Sequence, residues 1–395
     1  MAEYGKLFKK SYKNIYNYLY ENGNTSFEES PFNDVDAVIL SCIAYIPFEE
    51  CIPYNERFRP SRLKDMLITY LSHVNVDRIG KSYPDFGIKH IFLAMALLNS
   101  TRFQKSLVTG MKHVDNYSSN IQLHALSLML PNHQMAILFR GTDNTIMGWK
   151  EDFNMAFLEY VPGQGLALEF LQQQLNKHKK TPYYVIGHSK GGNYALYTAI
   201  YAPKGAKDRL IKVYSIEGLG VYQNVYESEE RKEILDKIVH LIPQEAVIGR
   251  LLHHEKPTYV VKAHPEGGLF AQHDVYNWEV KGKSFVKGHL TPSSDFVSGF
   301  MNDWIDKKLS DSTTVKALLD AIFEIVEQNQ YETADQMFDH GKDIFVQLLS
   351  HPWPKEQKKA ITSALFSLID NARRHYIPYR KEKNKYLQKK KQNEQ

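Results

Sequence analysis

Residues Gly187-His188-Ser189-Lys190-Gly191 set a serine between two glycines at the spacing of a nucleophile turn. A serine hydroxyl attacks a carbonyl only when a base takes its proton and fixed donors receive the oxyanion. The five-residue pattern alone is weak: with 22 glycines in 395 residues, chance supplies one in about a tenth of such chains. Its neighbours make it specific. Tyr183-Tyr184-Val185-Ile186 reads as a buried strand, Gly187, Gly191 and Gly192 let a helix pack close, and Asn193 to Tyr197 begin that helix. A strand-turn-helix of this kind lifts the serine oxygen off the sheet and turns the Lys190 N–H and the helix N-terminus toward a developing oxyanion. A glycine-rich turn with a solvent-facing serine is the plainer alternative.

A second oxyanion donor belongs on the loop after an earlier strand. Leu138-Phe139-Arg140-Gly141-Thr142-Asp143 is such a strand end running into a polar turn, with Thr142 as the candidate through its N–H and hydroxyl; a turn merely held by Thr142 and Asp143 is the plainer reading. The base should arrive after the last core strand, in the order serine, acid, histidine. His240 starts a strand and His253-His254 lie in a charged turn. His264 and His273 both follow the strand Thr258 to Ala263, and residue types alone leave both open.

Phe139-Arg140-Gly141-Thr142, then Gly148-Trp149-Lys150-Glu151-Asp152-Phe153, then Gly187-His188-Ser189-Lys190-Gly191-Gly192-Asn193 form a particular combination. It resembles a bacterial lipase-like family labelled Mbeg-like, distantly similar to the class 3 (fungal-type) lipases. The resemblance extends to Pro31 through Ala37, Val247 through Leu252, and Gln272-His273-Asp274 with Trp278 behind it, covering roughly residues 30 to 305. It implies an α/β-hydrolase fold, Ser189 as nucleophile, an oxyanion contribution from Thr142, and His273 as the catalytic histidine. For the acid, Glu217 in Glu217-Gly218-Leu219-Gly220 stands where the family usually has Asp-Gly-Pro-Gly, a position similar to the acid of pancreatic-type lipases. Glu245 is the alternative, in the region where class 3 lipases carry theirs. Glu217 is preferred, although the longer side chain and Leu219 in place of proline change the local geometry. Trp149 and Asp152 read as supports of the Thr142 turn, and Asp274, adjacent to His273 in sequence, is left out of the triad because adjacent residues seldom face each other.

Stepping along the chain, Ser30-Pro31-Phe32-Asn33 signals a helix to about Ile46, and helical patterns follow at Leu63 to Val74 and Ile91 to Leu98. Ile121 to Leu130 and Gln134 to Phe139 read as adjacent strands around the turn Pro131-Asn132-His133. The rhythm continues with a helix from Ala167 to Leu175, strand Tyr183 to Ile186, a helix from Asn193 to Tyr201, strand Ile211 to Ile216, a charged helix over Glu227 to Ile238, strand Val239 to Ile242, and strand Thr258 to Ala263. Such alternation predicts a mostly parallel central sheet with crossover helices. Beyond Asp311 only helical spacing recurs, as in Val315, Leu318, Leu319 and Ile322. The expected organisation is a polar segment at 1–30, the α/β-hydrolase domain at 31–305 with helices before its sheet, a C-terminal helical appendage at 311–372, and a basic tail at 373–395.

The net charge of +4 belongs to that tail, which holds nine Lys/Arg against two Asp/Glu and leaves residues 1–372 at −3. Charge therefore gives the body no nucleic-acid-binding surface. The tail offers at most a weak contact with an anionic membrane surface. Cys42 and Cys51 are too few for a disulfide framework and read as free thiols. No signal peptide and no run of about 18 apolar residues is present, so a cytoplasmic protein is expected. No ligand spacing for a metal and no nucleotide-binding glycine loop appears, so cofactor-free chemistry on an acyl ester or lipid is expected. The alternative is a binding or regulatory protein on a hydrolase scaffold, working through the helical appendage and the tail.

Overall fold

Successive side chains of a strand point to opposite faces, and here both faces are apolar. Met135, Ile137 and Phe139 point into one core while Ala136 and Leu138 point into another. A strand apolar on both sides must be covered on both sides, and that requirement organises the chain. The computed structural model describes residues 11–51, 60–74, 86–116, 118, 120–143, 145–264, 271–308 and 312–393.

The central sheet runs in chain order through β1 (Ser61–Arg62), β2 (Leu107–Asn116), β3 (Ile121–Met129), β4 (Met135–Phe139), β5 (Tyr183–His188), β6 (Leu210–Ile216), β7 (Ile238–Pro243) and β8 (Tyr259–Val261). β1 to β4 pair antiparallel and β4 to β8 parallel. A separate hairpin joins β9 (Val280–Lys281) to β10 (Ser284–Phe285). Helices of eight residues or more are α1 (Ile15–Asn22), α2 (Asp34–Ile43), α3 (Leu63–His73), α4 (Phe86–Leu98), α5 (Ile146–Phe157), α6 (Pro162–Lys177), α7 (Lys190–Ile200), α8 (Pro292–Lys308), α9 (Ser312–Gln328), α10 (Gly341–Ser350) and α11 (Lys355–Asn393). α1 to α4 cover one face, and α5 to α7 cover the other. The fold is α/β-hydrolase-like, as the resemblance implies, with the mostly parallel sheet that the alternation of elements predicts. Among the described residues no helix is long and apolar enough to cross a membrane.

Several stretches differ from the sequence reading. Segment 1–30, expected to be polar, contributes α1 with Ile15, Tyr16, Tyr18 and Leu19 buried. Tyr16 and Tyr18 bury their rings while Tyr18 donates to Asp36 and Tyr16 to the Lys89 carbonyl, so polar residue types serve a packed helix. The helix expected over Glu227 to Ile238 is instead the short turns Gln223–Tyr226 and Glu229–Lys232 with a 3-10 turn at Leu235–Lys237. Ser228 accepts from the Arg231 N–H and starts the second turn afresh. β2 and α5 carried no expectation, because β2 is only half buried and α5 begins in a polar, Gly-containing stretch. The basic tail is not a separate segment, since α11 continues through it to Asn393 with Pro378 inside the helix.

The helices after 311 extend the core already formed by α5 to α7, with Val315, Leu318, Ile325 and Trp353 buried in it. On the opposite face, α2 is anchored by a buried pair. Asn33 caps it, and Asp36 takes two hydrogen bonds from Arg102, at 2.9 and 2.5 Å, with both side chains almost wholly buried. Arg102 also donates to the carbonyls of Thr25 and Ser26. Removing one partner of a buried, hydrogen-bonded pair leaves an uncompensated charge. Arg102→Ala should therefore lower the urea-unfolding free energy by about 3–5 kcal/mol; a loss under about 1 kcal/mol would show that Asp36 is accommodated without it.

Candidate active site

Ser189 sits between the last residue of β5 and the first of α7 with φ 58° and ψ −130°. A non-glycine residue at positive φ is strained and persists only where its surroundings leave no alternative. Here they do not. A Cβ on Gly187 would stand 1.9 Å from the Gly191 carbonyl oxygen, and one on Gly191 would stand 2.1 Å from the Phe139 carbonyl oxygen. The start of α7 is thus pressed against the ends of β4 and β5, and the connecting residue has to project sharply. The Ser189 N–H donates to the Ile216 carbonyl at 3.1 Å, and its carbonyl accepts from Gly192 at 2.8 Å.

The parallel register sets the other strand ends beside it: Phe139 lies opposite Gly187, and His188 opposite Ile216. Thr142 follows β4, Glu217 follows β6, and His273 follows β8, so all four reach the same edge of the sheet. Ligand sites of open α/β sheets lie at this carboxyl edge.

Glu217 is buried, at φ 40°, and its Oε1 accepts from the Val247 N–H at 3.0 Å. His273 is 18% exposed in its side chain, and its Nδ1 lies 3.8 Å from Glu217 Oε1. Neither His273 Nδ1 nor Glu217 Oε2 has a hydrogen-bond partner among the described residues. Among the described residues no hydrogen bond joins Ser189 Oγ to His273. Glu245 is exposed, and its contact with the His273 loop is through its backbone, the N–H donating to Gln272 Oε1 at 2.9 Å. His264, the other histidine left open, stacks on Tyr12 and pairs with Glu279 at 2.9 Å. Asp274 pairs with Lys89 and caps the turn Val275–Asn277, apart from any triad role.

His188, inside the serine motif, had no role in the sequence reading. Its Nε2 lies 3.0 Å from the His273 carbonyl oxygen, which can only accept, so Nε2 carries the proton. Nδ1 then accepts from the Tyr45 hydroxyl at 2.8 Å, and that hydroxyl in turn accepts from the Gly141 N–H at 3.1 Å. Burial, reinforced by the neighbouring His273, holds the His188 imidazole well below the usual histidine range, and burial pushes the Tyr45 phenol up. A neutral chain therefore ties the Thr142 turn, the serine turn and the His273 loop together. The His188 and His273 rings lie 4.6 Å apart. Trp278, wholly buried, donates to the Gln272 carbonyl and braces the same loop. No spacing in the sequence announces Tyr45, because it reaches the site from the turn after α2.

The oxyanion candidates are held by charges. The Thr142 hydroxyl donates to Asp152, which leaves the backbone N–H as the group this turn can offer a substrate. The side chain of Lys190 is buried and pairs with Glu151 at 3.1 Å, so that residue contributes through its backbone. Asp152 supports the turn as expected, and Trp149 packs edge-on against Phe338 of the C-terminal helices.

The sequence model of the family described as Mbeg1-like matches residues 97–324, so Pro31 to Ala37 lie before the matched span. No curated protein matches the chain. Among solved structures, M37 lipase aligns at 12% identity over 65% of this chain and 83% of its own, with a TM-score of 0.36.

Burial pushes the Asp152 carboxyl up to about 7, against the opposing pull of Lys190 and the Thr142 hydrogen bond. Between the ordinary aspartate range and pH 7 the unfolded chain releases this proton while the folded one keeps it, so folding stability falls as pH rises through that window. Asp152→Asn removes this component. Urea-unfolding free energies measured from pH 4 to 8 should decline less with pH in the variant than in the wild type; parallel profiles would contradict it.

Proposed function

This chain belongs to the Mbeg1-like family, and on that premise we propose that it is a lipase-like serine hydrolase that cleaves acyl esters through an acyl-enzyme on Ser189. The observation that carries the reading is the meeting, at one sheet edge, of a strained serine with a histidine that faces a buried glutamate across 3.8 Å. That gap is longer than a hydrogen bond, but catalytic hydrogen bonds in free enzymes are often long and tighten when substrate binds.

In this mechanism Ser189 Oγ attacks the ester carbonyl and gives its proton to His273 Nε2. Glu217 accepts from Nδ1, fixes the tautomer and stabilises the imidazolium. The backbone N–H groups of Lys190 and Thr142 receive the oxyanion, helped by the N-terminus of α7. The imidazolium then protonates the departing alcohol, and water activated by the same histidine frees the acid. Glu217 rather than Glu245 is the acid, because the Glu245 side chain is turned outward. None of these steps draws on a cofactor.

Ser189→Ala should reduce hydrolysis of short- and long-chain p-nitrophenyl esters to background and abolish fluorophosphonate labelling. Glu217→Gln should lower kcat by on the order of 10⁴-fold with labelling retained but slowed. Wild-type protein inert to both ester series and to fluorophosphonate sinks the proposal, and full activity in Glu217→Gln reassigns the acid.

A second reading concerns α11, whose exposed Tyr376 and Ile377 stand among Arg373, Arg374, Arg380 and Lys381. Apolar residues interleaved with cations suit an anionic membrane surface that would supply lipid substrate. Deleting residues 373–395 should reduce pelleting with phosphatidylserine vesicles at low salt and leave soluble-ester turnover unchanged. Equal pelleting removes the membrane contact.

A further inference from the structure

His113 on β2 and His124 on β3 are direct cross-strand partners, and Glu49 reaches them from the short turn Phe48–Cys51. His113 Nδ1 lies 3.2 Å, and His124 Nδ1 3.1 Å, from the same oxygen, Glu49 Oε1. The opposite nitrogens both meet Asp115: His113 Nε2 at 2.8 Å from Oδ2 and His124 Nε2 at 3.1 Å from Oδ1. We propose that Glu49, His113 and His124 form a binding site for a zinc-class divalent cation, built from none of the residues of the serine site.

Four observations converge on this. Two ligands about 2.1 Å from a tetrahedral zinc lie about 3.4 Å from each other, and the nitrogen-to-oxygen distances of 3.2 and 3.1 Å are close to that. Asp115 accepts from both Nε2 atoms, which leaves each Nδ1 as a lone pair aimed at Glu49; a carboxylate behind a ligating histidine is the usual outer support of such sites. Imidazole with carboxylate is a donor set that suits zinc better than calcium or magnesium. The alternative, two imidazolium rings, turns each Nδ1 proton toward Glu49 Oε1 but sets like charges 3.8 Å apart between ring centroids. Two neutral imidazoles with two carboxylates carry −2, and Arg140 Nη1 lies 3.5 Å from Glu49. His113 and Asp115 keep about a quarter to a third of their side chains exposed, which leaves room for water in a fourth position.

The site adjoins the oxyanion turn in the chain. The Arg140 N–H donates to the His124 carbonyl, and its guanidinium also faces Asp143 at 3.6 Å, one residue beyond Thr142. A bound cation would therefore cross-link β2, β3 and the turn after α2 directly beneath the segment Arg140-Gly141-Thr142.

The test uses full-length protein stripped with EDTA, desalted, and titrated with zinc chloride alone, with bound zinc counted after gel filtration and thermal unfolding recorded with and without the metal. The expected result is about one equivalent bound and a raised Tm. Binding should weaken tenfold or more in Glu49→Gln and His124→Ala, weaken about tenfold in Asp115→Asn, and persist in His273→Ala, which removes the serine-site histidine instead. Circular dichroism reports whether each variant is folded. If His124→Ala is not, Glu49→Gln, which alters a partly exposed turn, decides. Wild-type protein without stoichiometric zinc, or a folded Glu49→Gln that binds as tightly as wild type, overturns the proposal.

Discussion

The start of α7 lies so close to the ends of β4 and β5 that backbone meets backbone, with no room for a side-chain carbon at Gly187 or Gly191. That contact forces Ser189 out of the ordinary backbone regions and holds it there. The strain is local, but its support is distributed: β5 is flanked on both sides by parallel partners, and both faces of the sheet are packed. A turn of this kind does not have to reorganise when charge develops beside it, which is what an oxyanion site requires.

A second constraint follows from where β4 and β8 end. Their loops emerge near the serine yet share no backbone pairing with it, so side chains must hold them. His188 does this in its neutral form, joining the His273 carbonyl on one side and Tyr45 and the Gly141 amide on the other. Since Tyr45 follows α2, the helices before the sheet belong to the frame of the site. The buried Arg102–Asp36 pair anchors α2 and so belongs to the support of that frame.

The opposite face carries the buried Lys190–Glu151 pair under the serine turn, and α5 brings Glu151, Asp152 and Trp149 from a single helix. Glu151 also accepts from the Gln122 amide, which joins α7 to β3. Trp149 and Phe153 then contact Phe338 and Phe323 of the C-terminal helices. These helices extend the core that packs against the sheet, and α5 lies between them and the Thr142 turn.

The fold and the serine were legible in the sequence because both rest on local rules. Alternating strand and helix lengths dictate a parallel sheet, and a strand, small residues and a helix around Ser189 dictate the turn. The segment Arg140-Gly141-Thr142 and Glu217 were legible as strand ends, and a family resemblance singled out His273. Tertiary structure alone decided what depends on sequence-distant neighbours. It turned the Glu217 side chain toward His273 and the Glu245 side chain to solvent, and it made His188 a neutral tie instead of a bystander. It also brought Glu49, His113 and His124 within ligand distance across 75 residues of chain. Spacing along a chain reports periodicity within one element, whereas such clusters arise from register between strands and from how a distant turn packs over them.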